Sequence, residues 1–184
     1  TELTNSEARD FLLKPESYAN FDLPSYFDFG PVLQALLNQI GNRKLSDIAE
    51  PDPARNNRPM RPAEFDNVNY ALLNNKDGKY AWRPFELIHP ALYVLLVNEM
   101  TEPAAWAEIQ ARFAQFQGNH KVVCLSTPVV SESEESDKAE QVSSWWQQVE
   151  QGSIELALEF DYVAHTDISD CYGAVYTHSI AWAL

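Results

Sequence analysis

Apolar residues recur every three to four positions through much of this chain, the spacing that places side chains on one face of a helix. The run NSEARDFLLKP predicts a short helix with Asn5 or Ser6 as N-cap and Pro15 as its stop. In DFGPVLQALLNQIGN, Pro31 suits a first turn, Val32, Leu36, Leu37 and Ile40 form an apolar stripe, and Gly41 suits the C-terminal cap. HPALYVLLVNEM reads as a mostly buried helix entered through Pro90, with Leu92, Leu95, Leu96 and Val97 among its apolar positions. TEPAAWAEIQARFAQFQG predicts another, with Thr101 as N-cap, Trp106, Ile109, Phe113 and Phe116 spaced at three to four, and Gly118 at its end. A mixed helix over AEQVSSWWQQVEQ, capped by Ser136, and the helix-like SIELALEF follow.

The period changes to two in VNYALLNNKDGKYAWRPFELI, where two β-prone runs flank Asp77-Gly78 and predict a hairpin. In its second strand, period two places Lys79, Ala81 and Arg83 on one face and Tyr80 and Trp82 on the other. HKVVCLSTPVV and FDYVAHTDIS also read as strands. PDPARNNRPMRP, from Pro51 to Pro62, carries four prolines and three arginines without apolar periodicity, so an extended loop is expected, exposed or in contact with phosphate. Helices with a few strands give an α+β class, with no internal repeat.

Composition adds a core and a charge problem. The 184 residues are 45% hydrophobic and 12% aromatic, enough to bury a substantial interior. Without a long apolar run or a signal-like N-terminus, the expectation is a soluble cytoplasmic protein with no membrane partner. Cys124 and Cys171 form no CxxC pattern and agree with a reducing compartment. The net charge of -14 disfavours contact with nucleic acid, yet eight of the 13 basic residues lie between Arg43 and Arg83, against six acids there. The acidic SESEESD run and the aromatic residues leave open a non-catalytic module that binds a basic partner.

Reactive side chains gather in YVAHTDISDCYGAVYTHSIAWAL, residues 162–184. On a strand, Val163, His165, Asp167 and Ser169 share a face; beyond Ser169 the chain can turn into a helix. Three readings stand side by side: zinc held by His165, Cys171 and His178, although their spacing matches no closed structural pattern; a helix cap at Asp167 or Asp170 with surface histidines; and a carboxylate at Asp167 that holds Mg²⁺ for nucleotidyl transfer, which needs a further carboxylate elsewhere.

The segment HTDISDCYGAVYTHSIAWAL resembles the first palm motif of reverse transcriptases, with Asp167, Ile168 and Tyr172 at the acidic, aliphatic and aromatic places. VYTHSIAWAL is most similar to bacterial enzymes of the abortive-infection and defence-associated group, and DGKYAWRPFELIHPALYVLLVNEMT resembles their fingers. The resemblance implies an RNA-directed DNA polymerase of antiphage defence. Residues 1–155 would form the N-terminal and helix-rich fingers region with its β-hairpin, and residues 156–184 the first strand and helix of the palm. It further implies Asp167 and the Ile168 carbonyl on Mg²⁺, in a two-ion site, and Tyr172 beneath the incoming sugar. Arg83 and Lys79 are candidate cations for triphosphate or template. The implied partners are an RNA template, nascent DNA and dNTP; an oligomer is compatible with all of this. No adjacent Asp pair occurs in the chain, so the family's second acidic motif is expected outside it, along with the rest of the palm and the thumb, and the fragment alone is expected to be inactive.

Overall fold

The computed structural model describes residues 3–19, 23–24, 26–75, 82–119, 121–125, 130, 137–164 and 166. The chain divides into two compact units, Thr1–Ile109 and Gln110–Leu184. Among the described residues the fold is helix-rich with one two-stranded antiparallel sheet, an α+β arrangement.

The first unit begins with α1 (Asn5–Leu12). Its N-cap is Thr4, one residue earlier than the sequence predicts: the Thr4 hydroxyl accepts from the Glu7 amide, and the Glu7 carboxylate accepts from the Thr4 amide at 2.8 Å. These bonds to Thr4 favour the charged carboxylate and hold the Glu7 pKa below its ordinary value. Pro15 stops α1 and also opens a second short helix, α2 (Pro15–Tyr18).

The core lies between α3 (Gly30–Ile40) and α5 (Pro90–Met100). Leu33 and Ile40 from α3 meet Tyr93, Val94, Leu95 and Val97 from α5, and Leu13 joins them from the end of α1. Val94 is 0% exposed and Leu33 2%. Two stripe assignments change: Val32 and Leu96 are exposed, and Leu33, one position from Val32, is the inward residue. Leu96 faces out because its flanking residues Leu95 and Val97 already take the buried side of α5.

Polar bonds hold the helix ends together. Gly41 caps α3 with φ 61°, where a side chain would be strained, and its amide donates to the Leu37 carbonyl at 2.8 Å. The Gly41 carbonyl accepts from Arg9 at 3.1 Å and from the buried Asn98 at 3.0 Å; Asn98 also donates to the Arg43 carbonyl and accepts from Arg9 Nε. One side chain thereby links α1, the end of α3 and α5. The short α4 (Leu45–Ile48) follows, and Lys44 before it pairs with Glu102 at 2.9 Å on the surface, which keeps its ammonium pKa raised.

Thr101 does not cap the next helix. It is the buried C-cap of α5, its hydroxyl donating to the Val97 carbonyl at 2.8 Å, and α6 (Pro103–Gln117) starts beyond it. Trp106 donates from its indole to the Leu3 carbonyl at 2.9 Å, while Phe113 and Phe116 are exposed.

In the second unit the two predicted helices, over AEQVSSWWQQVEQ and SIELALEF, are one helix, α7 (Asp137–Glu159), which runs unbroken across residues 155 and 156. Gly152 sits within it; a single glycine costs only about 1 kcal/mol relative to Ala, too little to end a helix of this length. Residues 121–125 are irregular rather than extended in a ladder, and Val122 and Val123 are exposed: among the described residues no strand pairs with them, and β-propensity alone does not make a sheet. Residues 161–164, expected to enter a strand, are likewise irregular. Ser136, the cap proposed for α7, lies outside the described residues.

Candidate functional site

The hairpin forms where the alternating pattern predicts it. β1 (Tyr70–Asn75) and β2 (Trp82–Leu87) pair antiparallel, from Tyr70 opposite Leu87 to Asn75 opposite Trp82. Arg83 stands opposite Asn74 in this ladder. Lys79 and the Asp77-Gly78 turn lie outside the described residues. Pro84 is accommodated because a two-stranded ribbon has only edge strands.

The ribbon is anchored at its exit. Leu87 is buried, the His89 amide donates to Asn69 Oδ1 at 3.2 Å, and Tyr18 donates its hydroxyl to the Ile88 carbonyl at 2.6 Å. His89 then caps α5, its Nδ1 accepting from the Ala91 amide at 3.3 Å. The far end of the ribbon is different: Leu73 and Trp82 share one face and are 69% and 64% exposed. A tryptophan displayed on an exposed sheet face is a surface on which a base or another planar group can stack. Period two alone assigns Trp82 to a face without saying whether that face is covered.

The arginine-rich loop is more ordered than an extended segment. Two single turns, Pro53–Arg55 and Pro62–Glu64, bracket Asn56 and Asn57, both at φ 61°, the left-handed conformation that asparagine tolerates. Glu64 joins the two turns: it accepts from Arg55 in a two-pronged pair, at 2.9 Å on one prong, and from the Arg61 amide at 2.9 Å, and it lies 3.6 Å from Arg58. The Arg55 bond and the Arg61 amide hold the Glu64 carboxyl at about 2. Two of the three guanidinium groups expected to be available for phosphate are thus engaged by one carboxylate. The signal for this was in the sequence, since Glu64 is the third residue of a turn opened by Pro62.

Of the other proposed site residues, Asp167, Ile168 and Tyr172 lie outside the described residues, as do His165, Cys171 and His178. Among the described residues no group of three or more His, Cys, Asp or Glu side chains is placed to hold a metal ion, and no helix is long and apolar enough to cross a membrane. Comparison with family models and with curated proteins returns no match to this chain.

Proposed function

We propose that the chain is the N-terminal part of an RNA-directed DNA polymerase, of the kind bacteria use against phage, comprising its fingers and the start of its palm. The observation that carries this reading is the order of two features. An antiparallel hairpin with an arginine in its second strand runs directly into a buried helix, and the segment HTDISDCYGAVYTHS follows downstream. The donor set agrees with the reaction. Asp167 and the carbonyl of Ile168 offer the hard oxygens that Mg²⁺ prefers, and two such ions, when bound, stabilise the attacking and leaving oxygens of nucleotidyl transfer.

In this reading the chain positions reactants rather than reacting itself. Asp167 sets where the primer 3′-hydroxyl meets the α-phosphate of the dNTP. Tyr172 lies beneath the sugar, where its ring excludes a 2′-hydroxyl. Arg83 and Lys79 neutralise the triphosphate or the template backbone. The second carboxylate is expected outside these 184 residues. The test is Mg²⁺-dependent dNTP incorporation on an RNA template by the intact gene product. Asp167→Ala is expected to abolish it, and undiminished synthesis by that variant sinks the assignment. Tyr172→Ala is expected to admit rNTPs.

A second reading, a non-catalytic acidic module that binds a basic protein, draws on α7. Val142, Trp146, Ile154, Leu156 and Leu158 are exposed along it, a surface that a partner can cover. The downstream coding sequence separates the two readings: an aromatic-x-Asp-Asp motif favours the polymerase, and a stop codon directly after Leu184 favours the module.

A further inference from the structure

Residues of α2 and residues 23 and 27–29, just before α3, line a pocket that neither reading uses. SYFDFGP places three aromatic residues, Tyr26, Phe27 and Phe29, around Asp28 just before Gly30. The pocket has a volume of about 280 Å³ and is lined by Pro15, Glu16, Leu23, Phe27, Asp28 and Phe29, among others. That is just under the range of about 300–1,000 Å³ usual for drug-sized ligands, and suits a group the size of one long side chain.

Its aromatic wall is fixed from behind. Phe29 meets Tyr18 edge-on with ring centres 5.0 Å apart, Tyr18 meets Tyr93 at 5.0 Å, and the Tyr93 hydroxyl donates to the Leu12 carbonyl at 2.5 Å. Phe27 stacks on Phe29 at 6.5 Å and remains 46% exposed. The acidic side is also held in place. Asp28 Oδ1 accepts from the Gly30 amide at 2.8 Å, and a Cβ on Gly30 would come within 3.1 Å of that oxygen and 3.7 Å of Pro15 Cγ. Among the described residues neither Glu16 nor Asp28 forms an ion pair.

We propose that this pocket binds a single organic cation, an ammonium or guanidinium group on an aliphatic stem. Ring faces and carboxylates both attract such a group, the stem matches the apolar Pro15 and Leu23, and an anion would meet two negative charges. The net charge of -14 raises the local concentration of cations around the chain. The cation can be a free amine or a lysine or arginine side chain of a polypeptide; the chemistry is the same.

The test is an NMR titration of the ¹⁵N-labelled chain at constant ionic strength with n-butylammonium, with a Gly-Lys-Gly peptide blocked at both ends, and with n-butanol as the neutral control. Saturable shifts at the amides of Phe27, Phe29 and Gly30 with either cation, and none with the alcohol, are expected. Binding of only the amine, or only the peptide, identifies the source. Glu16→Gln and Phe27→Ala each remove an exposed or half-buried group and are expected to weaken binding about fivefold or more with the chain still folded. Absence of saturable shifts with both cations, equal shifts with n-butanol, or an unchanged affinity in both variants overturns the proposal.

Discussion

The α3–α5 pair and α7 are both helical, and they stand at opposite ends of what holds a helix in place. On α3 and α5, Leu33, Ile40, Tyr93, Val94, Leu95 and Val97 are buried against one another. On α7 none of the buried apolar residues of the described chain occurs, and Leu158 is 86% exposed. The first pair is helical because burial of an apolar face stabilises it. For α7 the local terms carry more of the weight: good helix formers such as Glu, Gln, Ala and Leu, acids in its first turn, and hydrogen bonds between neighbouring turns such as Gln148 to Ser144 at 2.8 Å. Helical structure by itself therefore does not say where the stability of this protein lies.

Substitutions sharpen this contrast, beginning with the largest expected effect. Leu33→Ala leaves a cavity at a site with little room to relax, and a loss of about 2–5 kcal/mol is expected in denaturant unfolding; a loss near zero would remove α3–α5 as the core. Asn98→Ala leaves Arg9 and two backbone carbonyls short of a partner, at a cost of about 1–3 kcal/mol. An Asn98→Leu variant as stable as the parent would mean that packing, not hydrogen bonding, is what this position supplies.

Glu64 offers a pH test confined to the arginine loop. Its carboxyl is held at about 2 in the fold, against an ordinary value of 4.5. A lowered folded-state pKa contributes stability that is present above the ordinary value and fades as pH falls from about 4.5 towards 2. Hydrogen exchange at the Arg61 amide, which donates to Glu64, is expected to show loosening of its turn across that window, and Glu64→Gln should remove the dependence. The smallest effect belongs to α7: Leu158→Ala is expected to stay within about 0.5 kcal/mol. A larger loss would show that α7 is packed in solution against a surface these exposures do not reveal.

Much of the first unit was legible because its punctuation is local. Pro31, Gly41, Pro90 and the alternation in YALL and WRPFEL each act through backbone geometry a few residues away. The structure departs from the sequence reading where the deciding partner is distant. Asn98 is buried and bonded to Arg9 and to the Gly41 carbonyl, both far away in sequence, which no local pattern signals. Thr101 fits an N-cap by type, but the preceding helix claimed it first. The valines at 122 and 123 have strand propensity but, among the described residues, no strand beside them. For the site, β2 and the position of Arg83 follow from pattern alone, whereas the pairing of Arg55 and Arg58 with Glu64 depends on how two turns fold towards each other.

The Gly41 carbonyl is a hub made from an atom that every amino acid carries. Replacing residue 41 strains the turn but leaves the acceptor in the chain, so the join between α1, α3 and α5 is exposed to mutation mainly through its donors, Arg9 and Asn98. Since those two donors meet the same oxygen and each other, losing one leaves the other a partner. The junction should therefore weaken in steps, with the double variant costing more than the sum of the singles.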